Sequence, residues 1–168
     1  MLNEAISELK NEKVSSNDWS PFINLGFSYN IPEGYILNLD LRMQIYRKIS
    51  NINEILELKK IICNLEDRFG KFPELFNNLF KIKEIKILCK KLNIEKIDYC
   101  PEGFVFKLRN IKMSYIDNLI SLAKNHPKRI KLLPNSKLIY ISKKYDNFEK
   151  VFELKIFLES LTEYVEQK

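Results

Sequence analysis

Glycine is scarce in this chain. Only Gly26, Gly34, Gly70 and Gly103 occur among its 168 residues, and each is isolated. A phosphate-cradling loop of the GxxxxGKS/T or GxGxxG kind needs clustered glycines, so neither can form. Histidine is scarcer still. His126 is the only one, and it sits before Pro127, where a helix cannot continue. It has no companion at nucleophile or metal spacing, so it reads as a surface residue at a helix end. Cys63, Cys89 and Cys100 are odd in number and lack metal-ligand spacing. They read as reduced thiols of a cytoplasmic protein. No apolar run approaches the ~20 residues of a membrane span. The start, MLNEAISELKN, is amphipathic and carries acids, which fits neither a secretory signal nor a transit peptide. Adjacent carboxylates such as Glu66 and Asp67 point about 100° apart on a helix and do not share a proton. No catalytic residue, metal ligand or cofactor can be nominated, and no enzymatic activity is expected of the chain.

Arginine is also rare, limited to Arg42, Arg47, Arg68, Arg109 and Arg129. The net charge of +6 and pI near 9.1 therefore rest on lysine. Lysine, asparagine and isoleucine are abundant together, as the codon bias of an AT-rich genome produces without any ligand. A nucleic-acid-binding accessory domain remains the alternative reading. It would use Lys83, Lys86 and Lys90 on one lysine-rich helix face and Lys128 and Arg129 on a second. No aromatic is interleaved for base stacking, so DNA binding is expected to be weak at most.

What is present is ordinary globular material, 45% hydrophobic and 30% charged, enough for one small domain or two. Residues 1–13 read as a short helix and 11–20 as a polar linker. The division expected is an N-terminal helix and linker over 1–20 and a single domain over 21–168. Pro21 opens an alternating run, Ile23, Leu25, Phe27, Tyr29 and Ile31, which reads as a half-buried strand. A helix follows Asn38, with Leu39, Met43 and Tyr46 on one stripe and Leu41, Ile45 and Ile49 beside it. Asn51, with Glu54 three residues on, reads as the cap of a second helix. That helix carries Ile55, Leu58, Ile61, Ile62, Leu65 and Phe69. Gly70 ends it, and Pro73 starts a third helix running to Leu92.

Two hairpins come next. Cys100-Pro101-Glu102-Gly103 turns the first, and Pro134-Asn135 turns the second between Arg129–Leu133 and Lys137–Ser142. A helix over 114–125, capped by Ser114, separates them. A last helix starts at Asp146 with Glu149 behind it; Val151, Leu154, Leu158, Leu161 and Val165 face inward, aided by Phe152 and Phe157. The fold class is α+β: an antiparallel sheet of two hairpins plus an N-terminal strand, packed with a cluster of about five to six helices.

Asp67-Arg68-Phe69-Gly70 with Phe72-Pro73 resembles the Asp-Arg-Phe-Gly-x-x-Pro stretch in the C-terminal domain of bacterial transcription-repair coupling factors (Mfd). Ile31-Pro32-Glu33-Gly34-Tyr35-Ile36 is similar to that family's Ile-Pro-x-x-Tyr-Ile. Leu41-Arg42 through Tyr46-Arg47-Lys48-Ile49 is similar to its Leu-Arg…Tyr-Lys-Arg-Ile. Lys91-Leu92-Asn93-Ile94-Glu95-Lys96-Ile97 is similar to Lys-Leu-Gly-Ile-x-Lys-Ile. The matches keep their order over roughly residues 22–110.

The resemblance implies a regulatory module without catalysis of its own, within a protein whose motor translocates on DNA and dislodges stalled RNA polymerase. The module folds back on the N-terminal repair-protein-binding region of the same protein. There it hides the surface for the excision-repair damage-recognition protein (UvrA) until polymerase is engaged. Residues 1–20 would then be the end of the preceding motor region plus a connection; otherwise they pack on this domain's own core. The resemblance also implies an acidic turn at the end of the second helix. Asp67 matches it, Asn64 replaces a glutamate common in the family, and Glu66 and Arg68 flank Asp67.

Overall fold

A computed structural model of the protein describes residues 19–143 and 146–166. The helix expected over residues 1–13, and most of the linker after it, lie outside the described residues. The described elements are β1 (Phe22–Asn24), α1 (Leu39–Ser50), α2 (Ile55–Phe69), α3 (Glu74–Lys91), β2 (Ile94–Cys100), β3 (Gly103–Leu108), α4 (Met113–Asn125), β4 (Ile130–Leu133), β5 (Lys137–Ile141) and α5 (Asn147–Glu166). The five strands form one sheet in the order β1-β2-β3-β5-β4. Both expected hairpins are present, β2 with β3 and β4 with β5, and β3 joins them by pairing antiparallel with β5.

The N-terminal strand departs from expectation in length and direction. β1 has three residues and pairs parallel to β2, so the sheet is mixed rather than antiparallel. The alternation beyond Asn24 belongs to a segment that leaves the sheet. The side chain of Asn24 accepts a bond from the Gly26 amide, at positive φ, and turns the chain away. The backbone then finds partners on helices. Asn30 N–H donates to the Leu75 carbonyl, Asn78 Nδ2 donates to the Ser28 carbonyl, and Ile31 N–H donates to the Tyr46 hydroxyl at 2.7 Å. Alternating burial reflects packing along α3, not strand pairing.

α3 holds the fold together because both of its faces are buried. Ile82, Ile85, Leu88 and Cys89 point into a core shared with the sheet, α4 and α5. Phe76, Phe80 and Ile87 point into a second core made with α1, α2 and the 31–37 loop. A helix apolar on most sides has to be enclosed. Phe76 stacks on Phe80 and Phe72 meets both edge-on, with ring centroids 4.7–5.0 Å apart. Such contacts add about 0.5–1.5 kcal/mol each beyond area burial. The chain leaves α3 through Asn93 at φ 53, the position where the resembling pattern has glycine. Asparagine is the next most tolerant residue there. The outer face of the sheet carries ion pairs instead, Lys96–Asp98 at 3.1 Å and Lys107–Glu95 at 3.6 Å.

Several local expectations change. Asn38 caps α1, its side chain accepting from the Leu41 amide at 3.0 Å. The buried face of α1 is Arg42, Ile45 and Ile49, while Leu39 and Met43 are exposed. Asn51 does not cap α2. Its backbone N–H closes α1 on the Arg47 carbonyl, and Glu54 reaches Lys91 instead, at 3.7 Å. α4 begins at Met113 without a side-chain cap, so Ser114 is not one. Phe152 faces solvent, whereas Phe157 is buried. The α5 cap is as expected, with the Glu149 amide donating to Asp146 Oδ2.

Gly70 and Gly103 are conformationally demanding for different reasons. Gly70 has φ 80 and ψ −165, a region that is essentially glycine-only, but open space surrounds it. Gly103 has φ +143, and a Cβ there would collide with the Tyr140 carbonyl and Ser142 amide of the paired strand. Gly70→Ala is therefore expected to cost about 1–3 kcal/mol. Gly103→Ala should cost more, about 3 kcal/mol or above, because overpacking adds to strain. Gly34→Ala, with negative φ and free space, should stay within about 0.5 kcal/mol. Urea unfolding of the three variants tests this order.

Candidate protein interface

The end of α2 is built from a tight stop. The Gly70 amide closes the helix on the Glu66 carbonyl at 2.8 Å. The Tyr35 hydroxyl donates to the Gly70 carbonyl at 2.8 Å and pins the stop to the 31–37 loop. The Tyr35 ring packs against Phe69, Phe72 and Phe76. Burial, and then the nearby Glu66 carboxylate, raise the Tyr35 phenol above its ordinary range.

The loop is itself anchored from α1. Arg42 is buried, and its Nη1 donates to the Ile36 carbonyl at 2.7 Å and the Leu37 carbonyl at 3.2 Å. Its Nη2 lies 3.7 Å from Glu33. Arg42 thus positions Tyr35, and Tyr35 positions the last turn of α2. Sequence reasoning placed Arg42 in a motif but gave it no task; a charged residue midway between Ile45 and the loop was the available signal.

Asn64, Glu66, Asp67 and Arg68 are all exposed on this rigid end. Asn64 and Asp67 are three apart and share a face, whereas Glu66 lies toward Tyr35. Arg68 stacks on the Phe69 ring at 5.0 Å. Among the described residues, none of the four makes an ion pair. Asp67 sits where helix carbonyls carry partial negative charge, an unfavourable place for an acid by a few tenths of a kcal/mol to about 1. The face is not uniformly acidic. One turn back, Leu56, Lys59, Lys60, Cys63 and Asn64 line a shallow hollow of about 460 Å³. Leu56, off the apolar stripe, is 73% exposed and was not foreseen as a contact residue.

The residues of the alternative nucleic-acid reading fall in two places. Lys83, Lys86 and Lys90 line one cavity against α1 and the segment before β1. Lys128 and Arg129 lie in the connection from α4 to β4, where Arg129 Nη1 donates to the Tyr140 hydroxyl at 3.3 Å. The two groups share no cavity among the described residues. His126 is exposed at the end of α4, with its amide on the Leu122 carbonyl. Among the described residues no His, Cys, Asp and Glu cluster could hold a metal, and no helix is long and apolar enough to cross a membrane.

A family model described as the TRCF domain matches residues 25–119. The chain belongs to the TRCF domain family. It is 40% identical over 148 residues to the transcription-repair-coupling factor of Rickettsia typhi, covering 87% of this chain and 13% of that protein. The corresponding protein of Borreliella burgdorferi is 37% identical over 151 residues, covering 89% of this chain and again 13% of the relative. The TRCF domain described here thus spans about 13% of the length of these relatives. Its fold is shared with the crystal structure of the C-terminal domain of a transcription-repair coupling factor. The TM-score is 0.72 at 20% identity, over 89% of this chain and 96% of that one.

Arg42→Met keeps the apolar stem but leaves the Ile36 and Leu37 carbonyls without their donor. It is expected to cost about 2–3 kcal/mol and to speed amide exchange over the 31–37 loop and at Gly70. Hydrogen exchange by mass spectrometry checks both; an unchanged loop would show that Arg42 is not its anchor.

Proposed function

We propose that this TRCF domain is a non-catalytic, autoinhibitory module of a bacterial, cytoplasmic transcription-repair coupling factor. It docks by the last turn of α2 on the N-terminal repair-protein-binding region of the same protein. Docked, it masks the surface for UvrA; engagement of RNA polymerase by the motor releases it. In this reading residues 21–168 are the module and 1–20 connect it to the motor, with no cofactor, membrane or strong DNA contact involved.

The observation that carries the reading is Asp67. It is an exposed acid, unpaired among the described residues, on an unfavourable helix end held by the Arg42–Tyr35–Gly70 chain. Rigid presentation of a charge that gains nothing locally suits recognition of a basic partner. Glu66 and Arg68 flank the contact. Asn64 lowers the charge relative to the family pattern, so shape and the exposed Leu56 carry more of the contact here.

The experiment uses a full-length coupling factor bearing this domain. An exposed ion pair is worth only about 0.2–1 kcal/mol, too little to hold a latch. A pair desolvated in an interface costs about 2–5 kcal/mol when one partner is lost. Asp67→Lys is therefore expected to raise UvrA binding more than tenfold in a calorimetric titration, with the fold intact. Deletion of residues 21–168 should do the same. A deletion that binds no better than wild type would refute the masking role. A gain on deletion but not with Asp67→Lys would refute the choice of contact residue. The isolated chain is expected to show no ATP turnover above a heat-inactivated control.

A further inference from the structure

The segment Trp19–Pro21, the α1–α2 connection and one face of α3 enclose a cavity of about 520 Å³. That lies within the roughly 300–1,000 Å³ of small-molecule sites. Lys83, Lys86, Lys90 and Lys91 all line it. Lys83, Lys86 and Lys90 follow at intervals of three and four and so share one helical face. Glu54 is the only carboxylate residue among the described lining, and its Oε2 lies 3.7 Å from Lys91 Nζ. That pair neutralises itself and leaves three ammonium groups without a counter-charge among the described residues.

All three are half-buried. Lys83 Nζ donates to the Ser50 carbonyl at 3.0 Å, a neutral partner. Lys86 has no hydrogen bond or ion pair among the described residues. Burial lowers the Lys83 ammonium below its ordinary range, and Lys86 and Lys90 lower it further by repulsion; burial does the same to Lys86. By contrast, the partly buried Lys155 has Glu84 at 2.8 Å. Desolvating like charges side by side is costly unless an opposite charge joins them.

We propose that this cavity binds a small phosphate-bearing anion, its oxygens held between the ammonium groups of Lys83, Lys86 and Lys90. Ser20 and Asn93 also line the cavity and supply neutral donors. Lys83 to Lys90 spans about 10 Å along the helix axis, which suits two or three linked phosphates better than one. The cavity is walled on three sides by this chain, which suits a compact anion rather than a long strand. Binding alone is proposed. The site is separate from the end of α2 and does not depend on the masking role.

Trp19 lines the cavity and is the only tryptophan of the chain, so its emission reports occupancy. The full 168-residue chain is titrated with orthophosphate, pyrophosphate and ADP, against chloride at matched ionic strength, by emission and by calorimetry. Saturable pyrophosphate binding is expected, weakened at least tenfold in Lys86→Gln and in Lys83→Gln/Lys86→Gln. Lys128→Gln should bind as wild type. The lysine variants should melt no lower than wild type, since they remove repulsion. Tighter ADP than pyrophosphate binding would mark a nucleotide tail as the source, and equal orthophosphate binding a single phosphate. Absence of heat and of emission change with all three anions would overturn the proposal. So would binding undiminished in Lys86→Gln, or binding of an oligonucleotide with none of the small anions.

Discussion

Burial of α3 on both faces is the constraint on which the rest of the structure depends. Its inner residues, Ile82, Ile85, Leu88 and Cys89, close the sheet's one apolar face, and its outer residues, Phe76, Phe80 and Ile87, close the helical core. Neither core is complete without it. A sheet of five short strands with one polar face cannot bury its apolar side alone, and three helices without a wall would expose a phenylalanine cluster. Truncating a buried phenylalanine of this kind costs about 3–5 kcal/mol, a large share of a small domain's net stability.

Both candidate sites inherit their geometry from this wall. Phe72 and Phe76 fix Tyr35, whose hydroxyl fixes the Gly70 turn, and the end of α2 is thereby rigid. The polar edge of the same helix, Lys83 to Lys91, meets the α1–α2 connection and forms the lysine-lined cavity. One helix thus supports the end of α2 on one side and walls a basic cavity on another.

Much of this was legible where the backbone makes a local demand. Gly70 and Pro73 bracket the α2–α3 turn because positive φ and a missing N–H admit few other residues. The two hairpins were readable from alternation and turn residues. Misreadings arose where a tertiary partner outbid a local one. The run from Ile23 to Ile31 alternates like a strand, yet Leu75, Asn78 and Tyr46 take its backbone groups after Asn24. Asn51 and Glu54 have capping-box spacing, but the first closes the preceding helix and the second pairs with Lys91. Leu39 and Met43 are exposed because the buried stem and guanidinium of Arg42 occupy that face of α1. Asp67 stood out only through the resemblance of its neighbours. The lysine cavity could not be read at all, because two of its three walls come from segments distant in sequence from α3's lysines.

The central claim is that α3 makes two cores into one cooperative body. Native-state hydrogen exchange of wild type and Phe76→Ala tests it most directly, since Phe76 touches only the helical core. The most protected amides of α1 and α2 and those of β2, β3 and β5 should lose protection together and by the same free energy, about 3–5 kcal/mol. Loss confined to α1 and α2, with the sheet amides unchanged, would contradict the account and make the helical cluster a separate folding unit.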